Sequence, residues 1–272
     1  MRILFIGDVV GKPGVEIVVN SLEGIRREES VDLVIVNGEN AEGGSGITPA
    51  IYRKLIKAGA DCITLGDHIY RKKDIIETLE QQTNIVKPAN FPEDAPGKSW
   101  AVVKTSTGRK VAVFSLMGRV FMKPVDCPFK AADRVLAEIP EDIKIRFCDF
   151  HAEATSDKHL MGRFLDGRVS AVCGTHTHVQ TADEQVFPGG TAFISDVGMT
   201  GPHHSILGRN IEKVMEATIT FRPLPFSVAK EDVRINGALI EIDPKSGKAQ
   251  GIRRFSINEK QAEKYQLDDD DL

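Results

Sequence analysis

The sequence predicts an α/β protein built as a four-layer α/β/β/α sandwich, and three observations predict it. Near the N-terminus, short apolar runs alternate with amphipathic helical segments. Each of those runs ends in glycine followed by a polar residue. Farther along, a second set of strand-like runs supplies apolar surface for another sheet. Successive βα units imply parallel strands joined by right-handed crossovers, with the polar residue after each strand facing a crevice.

Ile3 to Ile6 reads as the first buried strand, followed by Gly7-Asp8 and Gly11-Lys-Pro-Gly14. Val15, Val18, Val19, Leu22 and Ile25 have helical spacing, so a helix spans Val15 to Arg27. Leu33 to Val36 is a second strand, ending in Asn37-Gly-Glu-Asn40. Thr48 is an N-cap with Pro49 in the first helical position, and that helix runs to about Ala58. Cys62 to Leu65 is a third strand, closing with Gly66-Asp67-His68, and a helix from about Lys72 to Gln81 follows. Trp100 to Thr105 and Lys110 to Leu116 pair as a hairpin through Thr107-Gly108. Val120 to Pro128 has no periodicity and reads as a loop overhanging the strand ends. Phe129 to Glu138 is helical, Ile145 to Phe150 is a strand that stops at His151, and Lys158 to Leu165 is a short helix. The apolar run Val169 to Cys173 meets Gly174 and presents His176 and His178. Period-two spacing in extended backbone sends both rings to one side.

The remainder offers strand-like runs at Thr191 to Ile194, Ala217 to Arg222 and Val233 to Ile242, with turns at Asn236-Gly237 and Ser246-Gly247. These predict a second, mostly antiparallel sheet. No Pro/Gly/Ser linker divides the chain, so residues 1–266 read as a single domain and 267–272 as an acidic tail expected to be disordered.

Composition narrows the function. With 35 basic and 39 acidic side chains among 272 residues, no basic stripe marks a nucleic-acid binder that relies on many phosphate contacts. A small phosphorylated substrate, or an RNA end, fits that balance. Cys62, Cys127, Cys148 and Cys173 are scattered without a C-x-x-C pair, which predicts buried reduced thiols. The N-terminal apolar run is too short for a signal segment, and no run reaches membrane-spanning length. A soluble cytoplasmic protein with no membrane association is expected; oligomeric state, a homo-oligomer included, is open.

Asp8, Glu39-Asn40, Asp67-His68, His151 and His176/His178 stand at the carboxyl ends of five strands. Each alone has an ordinary role: an aspartate caps a helix, an asparagine makes a turn, a histidine packs. Agreement at five separate strand ends is what argues for chemistry. Carboxylate oxygens and neutral imidazoles suit two adjacent divalent ions, which lower the pKa of a shared water and draw in a phosphate ester. A histidine beside such ions, not ligating them, protonates a leaving alkoxide. Iron or manganese suits these donors best, and zinc is admissible.

Gly7-Asp8, Gly38-Glu39-Asn40, Gly66-Asp67-His68, His151 and Gly174-Thr-His-Thr-His178 resemble the blocks of the calcineurin-like metallophosphoesterases. More narrowly, the chain is similar to the bacterial YmdB-like branch, which acts on phosphodiesters including 2',3'-cyclic nucleotides; Asp196-Val-Gly-Met-Thr-Gly-Pro202 extends the similarity downstream. The resemblance implies the α/β/β/α sandwich of the metallophosphoesterase type. It implies one metal held by Asp8, Glu39, Asn40 and His178, and a second held by Glu39, Asp67, His151 and His176. His68 would be the unligated acid. Broad phosphomonoesterase activity, or a metal-bearing regulatory or RNA-interacting protein with little turnover, are the alternatives.

Two positions depart from the wider pattern. Val10 stands where the superfamily has the histidine of Asp-x-His, a loss the branch shares and for which Asn40 compensates. Asp67 stands where the family has asparagine. Two divalent ions with Asp8, Glu39 and a hydroxide leave a formal charge of about +1, which an anionic Asp67 lowers to about zero. That count predicts firmly held cations, a weaker attraction for phosphate and impaired turnover. A ferric ion or a protonated Asp67 would offset it. Two further residues are candidate substrate contacts: Arg119, whose guanidinium suits phosphate, and Thr177, whose hydroxyl could meet a ligand or stabilise its own loop.

Overall fold

A computed structural model describes residues 1–265; the acidic tail lies outside the described residues. The chain runs β1 (Arg2–Ile6), α1 (Gly11–Glu28), β2 (Leu33–Asn37), α2 (Pro49–Lys57), β3 (Cys62–Thr64), α3 (Ile75–Gln81) and β4 (Ile85–Val86). It continues through β5 (Trp100–Lys104), β6 (Lys110–Met117), α4 (Pro128–Glu138), β7 (Ile145–His151), α5 (Thr155–Phe164) and β8 (Ala171–Thr175). Then come β9 (Gln185–Val186), β10 (Ala192–Ile194), β11 (Gly201–Pro202), α6 (Ile211–Thr220), β12 (Val233–Ile242), β13 (Ala249–Asn258) and α7 (Glu259–Ala262). One sheet has the order β11-β12-β1-β2-β3-β4, with β13 also paired to β12; the other has the order β5-β6-β7-β8-β10-β9.

Three apolar cores separate the four layers. Ile3, Phe5, Leu33, Ile35 and Cys62 face the second sheet, while their alternates Leu4, Ile6, Val34, Val36 and Ile63 face the helices α1 to α3. The same alternation in the second sheet sends Val113, Phe147 and Cys173 inward, and Phe114, Phe150 and Val172 out toward α4 and α5. Strands covered on both faces therefore read as continuous apolar runs. Phe5 and Phe147 meet edge to face across the sheets, ring centroids 4.9 Å apart. Full burial of each such side chain contributes about 1.5–3 kcal/mol.

The sequence-based account of the C-terminal third needs three corrections. First, β12 and β13 do not build the second sheet: β12 pairs antiparallel with β1 and so extends the first. The second sheet is parallel at its centre, β6 to β7 to β8 to β10, with antiparallel strands only at its edges. The helical crossovers α4 and α5 require that arrangement. Second, Asn236-Gly237 is not a turn but the middle of β12. A Cβ at Gly237 would come within 2.1 Å of the Phe5 carbonyl oxygen, so the glycine serves close approach to β1. The hairpin reverses instead at Asp243 to Gly247, where the Gly247 N–H donates to the Asp243 carbonyl. Third, Ala217 to Arg222 is not a strand: residues through Thr220 finish α6, which Asn210 caps by accepting from the Lys213 N–H.

Candidate metal centre

The parallel strands β1, β2 and β3 of one sheet and β7 and β8 of the other end at a common edge, and there the two sheets meet chemically. Asp8, Glu39, Asn40 and His151 are buried; Asp67, His68, His176 and His178 are partly exposed. His151 Nε2 lies 3.2 Å from Glu39 Oε1 and 3.4 Å from Asp67 Oδ1. His176 Nδ1 lies 3.0 Å from His151 Nε2. Donor atoms of Glu39, Asp67, His151 and His176 all fall within 4.8 Å of one another. On the other side of Glu39, the Asn40 amide nitrogen is 3.2 Å from both Glu39 Oε1 and His178 Nε2. Glu39 is thus shared between the two groups. A Cβ at Gly66 would collide with Glu39 Oε2 and the His151 ring, so only glycine lets these donors approach.

The donor set fits cations. Asp8 Oδ2 accepts from the His176 N–H at 3.0 Å, but Asp8 Oδ1 is buried with no hydrogen-bond partner. Beside so many other donors, that orphaned carboxylate oxygen is what a bound cation would satisfy. Burial pushes the Asp8 carboxyl up to about 6, against the pull of His178 and His151. Burial also opposes charge on Glu39 and on His151, yet the two outweigh it together: Glu39 is held well below the usual carboxylate range, and His151 well above the usual imidazole range. Burial, and then the charge on His151, push His176 down to about 4, so its ring is neutral and available as a ligand.

The outer nitrogens of the three ring donors are each committed to an oxygen. His151 Nδ1 donates to Thr175 Oγ1 (2.9 Å), which in turn donates to Asp149 (2.7 Å). Buried Asp149 also accepts from Thr64 Oγ1 and Asn37 Nδ2, tying both sheets together beneath the site. His176 Nε2 faces Glu153 Oε2 at 3.1 Å, and His178 Nδ1 donates to the Leu207 carbonyl at 3.1 Å. Each pairing turns the other ring nitrogen toward the cluster, where a cation would take its lone pair, and such outer partners raise ligand basicity. Replacing Glu153 with glutamine is therefore expected to weaken Mn²⁺ binding by about 10- to 100-fold in a calorimetric titration. Unchanged affinity would rule out that tuning.

His176 and His178 both adopt positive φ, +100° and +65°, where side-chain-bearing residues cost about 1–3 kcal/mol each. Thr177, between them, holds the loop in place. Its N–H and hydroxyl both donate to Asp196 Oδ2 (3.0 and 2.7 Å), which also receives the buried Lys158 ammonium at 2.6 Å. Thr177 therefore stabilises its own loop. The Asp196 segment also braces Asp8, since the Thr200 N–H donates to the Asp8 carbonyl.

His68 Nδ1 lies 2.7 Å from Asn40 Oδ1, and its Nε2 lies 3.7 Å from Asp67 Oδ2. Asn40 Oδ1 keeps a second lone pair. Arg119 lies in the overhanging loop with its side chain exposed; its backbone N–H donates to Asp157. All eight residues at the strand ends converge, whereas Arg119 and Thr177 stay outside the cluster. Sequence reading missed Asp149, Glu153, Lys158, Thr175 and Asp196 in their supporting roles. Asp149 did carry a signal, as an acid inside the apolar run Ile-Arg-Phe-Cys-Asp-Phe two residues before His151.

Two stacked sheets with helices outside them, and a carboxylate and imidazole cluster at one shared strand edge, define a protein of the metallophosphoesterase type. The chain belongs to the YmdB-like protein family, whose family model matches residues 4–255. It is 48% identical over 259 residues to a Bacillus subtilis 2',3'-cyclic-nucleotide 2'-phosphodiesterase, covering 95% of this chain and 98% of the relative. Among solved structures, a hypothetical protein from Thermus thermophilus superposes with a TM-score of 0.89 at 40% identity, covering 95% of this chain and 99% of that one. A Mycoplasma pneumoniae protein described as a novel phosphatase superposes with a TM-score of 0.88 at 32% identity, covering 98% and 97%. No helix among the described residues is long and apolar enough to cross a membrane.

Proposed function

We propose that this protein is a dinuclear metal-dependent phosphodiesterase that hydrolyses small phosphodiesters such as 2',3'-cyclic nucleotides. The observation that carries the reading is the orphaned Asp8 Oδ1 beside a partly buried cluster of donors split by Glu39 into two groups. The activity named for the Bacillus subtilis relative, at 48% identity over nearly the whole chain, supports the substrate class. Asp8, Glu39, Asn40 and His178 would hold one ion; Glu39, Asp67, His151 and His176 would hold the other. Iron or manganese fits this nitrogen and oxygen set, and zinc is admissible. When bound, the pair supplies Lewis-acid pull on a water and on the phosphoryl oxygens.

The chain's own residues do the rest. His151, His176 and His178 are locked in orientation by their outer oxygens, so the site is ordered before substrate arrives. His68 is aimed by its contact with Asn40 Oδ1, which accepts the Nδ1 proton, so it is the imidazolium form that carries a second proton on Nε2 to hand to the departing ribose oxygen. The test is a comparison of initial rates for Mn²⁺-loaded protein on 2',3'-cyclic AMP and on p-nitrophenyl phosphate. The diester is expected to react faster in kcat/KM; a preference for the monoester would overturn the proposal in favour of a broad phosphomonoesterase.

A further inference from the structure

Three of the residues that would hold the ions are carboxylates, Asp8, Glu39 and Asp67, and their formal charge leaves two divalent ions and a hydroxide with no surplus positive charge to attract a phosphodiester. That count omits a cation that the structure brings to the same place. Asp67 Oδ1 faces inward, toward His151 at 3.4 Å and His176 at 3.9 Å. Its Oδ2 faces the open side, where Lys123 Nζ stands at 3.6 Å. The same ammonium donates to the Asp67 backbone carbonyl at 3.0 Å, so two atoms of one residue fix it.

The loop that carries Lys123 is anchored at both ends. At one end, the Gly118 N–H donates to the His151 carbonyl, and the Arg119 and Val120 N–H groups donate to Asp157. At the other, Asp126 and Asn90 exchange hydrogen bonds, the Asp126 N–H to the Asn90 carbonyl and Asn90 Nδ2 to the Asp126 carbonyl. An exposed lysine pair contributes little to folding stability. Its field on an anion entering the same mouth is a separate matter, because that anion displaces water around it.

We propose that Lys123 is a positioning residue that offsets the charge of Asp67, so that the site keeps a net positive field for the phosphodiester. With Lys123 counted, the formal charge returns to about +1, the value the site would have with a neutral residue at position 67. The impairment expected from Asp67 alone is thereby removed. This inference rests on the phosphodiesterase reading, and it assigns Lys123 to the substrate's charge and not to the fold.

The test is a double-mutant cycle on the full chain, comparing the unaltered protein with Lys123→Ala, Asp67→Asn and the double variant. Calorimetry measures inorganic phosphate binding to the Mn²⁺-loaded proteins and, separately, Mn²⁺ binding. With Asp67 present, Lys123→Ala is expected to weaken phosphate binding by about tenfold; with asparagine at 67, where no carboxylate holds the ammonium at the mouth, the same change weakens it by less than about twofold. Lys123→Arg, which keeps the charge, restores phosphate binding. Mn²⁺ binding moves the other way: losing a neighbouring cation makes Lys123→Ala bind the ion more tightly. Opposite signs for the two ligands cannot come from a folding defect. Equal weakening of phosphate binding in both backgrounds, or weaker binding of both ligands, overturns the proposal. Protein that shows the coupling but leaves 2',3'-cyclic AMP intact would refute the proposed activity while upholding the pairing.

Discussion

Asp8→Asn is expected to lower turnover by at least about a thousandfold and, at the same time, to stabilise the metal-free protein at neutral pH. The two effects share one cause. Asp8 is fully buried, with one oxygen unpartnered, and burial lifts its carboxyl from 3.8 to about 6. The folded state therefore holds this proton more tightly than the unfolded state does. Below pH 4 both states carry the proton and Asp8 costs nothing. Between pH 4 and 6 the unfolded chain releases it first, and stability falls. Above pH 6 the full penalty applies, on the order of 3 kcal/mol. Asparagine has the same shape and no charge, so chelator-treated Asp8→Asn should gain up to about 3 kcal/mol at pH 7.5 and close to nothing at pH 4 in urea unfolding. Saturating Mn²⁺ should reverse the order, stabilising the unaltered protein more than the variant. A metal-free variant that is less stable at pH 7.5 would show that Asp8 is a structural cap and not a strained ligand. Function placed at the expense of stability is what a preorganised cation site requires.

Much of the candidate site was legible because its signal is local. A strand that ends in glycine and a polar residue states both its end and what it presents, and Asp8, Glu39 and Asp67 each followed that rule, while His151 and His176 were marked by closing apolar runs at a strand's carboxyl end. The sheet to which the C-terminal strands belong was not legible. The alternation in β12 suits either sheet, and only pairing with β1, at the opposite end of the chain, decides it. Asn236-Gly237 carries a strong local hairpin signal, overridden by the Phe5 carbonyl, which needs a neighbour without a side chain. α6 misled for a different reason: Ile211, Val214, Met215 and Ile219 do recur at helical spacing, but the β-branched Thr-Ile-Thr at its end reads locally as strand. The supports of the histidine loop were invisible because Lys158 and Asp196 are 38 residues apart, and the block that begins at Asp196 does not say what its carboxylate holds. Lys123 was hidden likewise, since its loop has no periodicity and its partner Asp67 is 56 residues away.

Replacing His68 separates two roles that the geometry places side by side. As an acid, His68 must give a proton to the oxygen that leaves, and its loss should lower kcat by about 10²- to 10⁴-fold for a ribose alkoxide. A p-nitrophenolate needs no such proton, because it is a stable anion near neutral pH, so His68→Ala should retain far more of its activity on bis-p-nitrophenyl phosphate than on 2',3'-cyclic AMP. As a ligand, His68 would carry metal away with it, and both substrates would suffer alike. Its contacts favour the first role. Nδ1 is turned to Asn40 Oδ1, and the backbone N–H donates to Glu39 Oε2, so the ring stands against the ligand residues with Nε2 turned away from Asn40. Measuring both rates alongside Mn²⁺ content by elemental analysis decides between them. Equal loss on the two substrates, or depleted manganese, would remove His68 from the acid's position and leave the departing oxygen to be protonated by solvent.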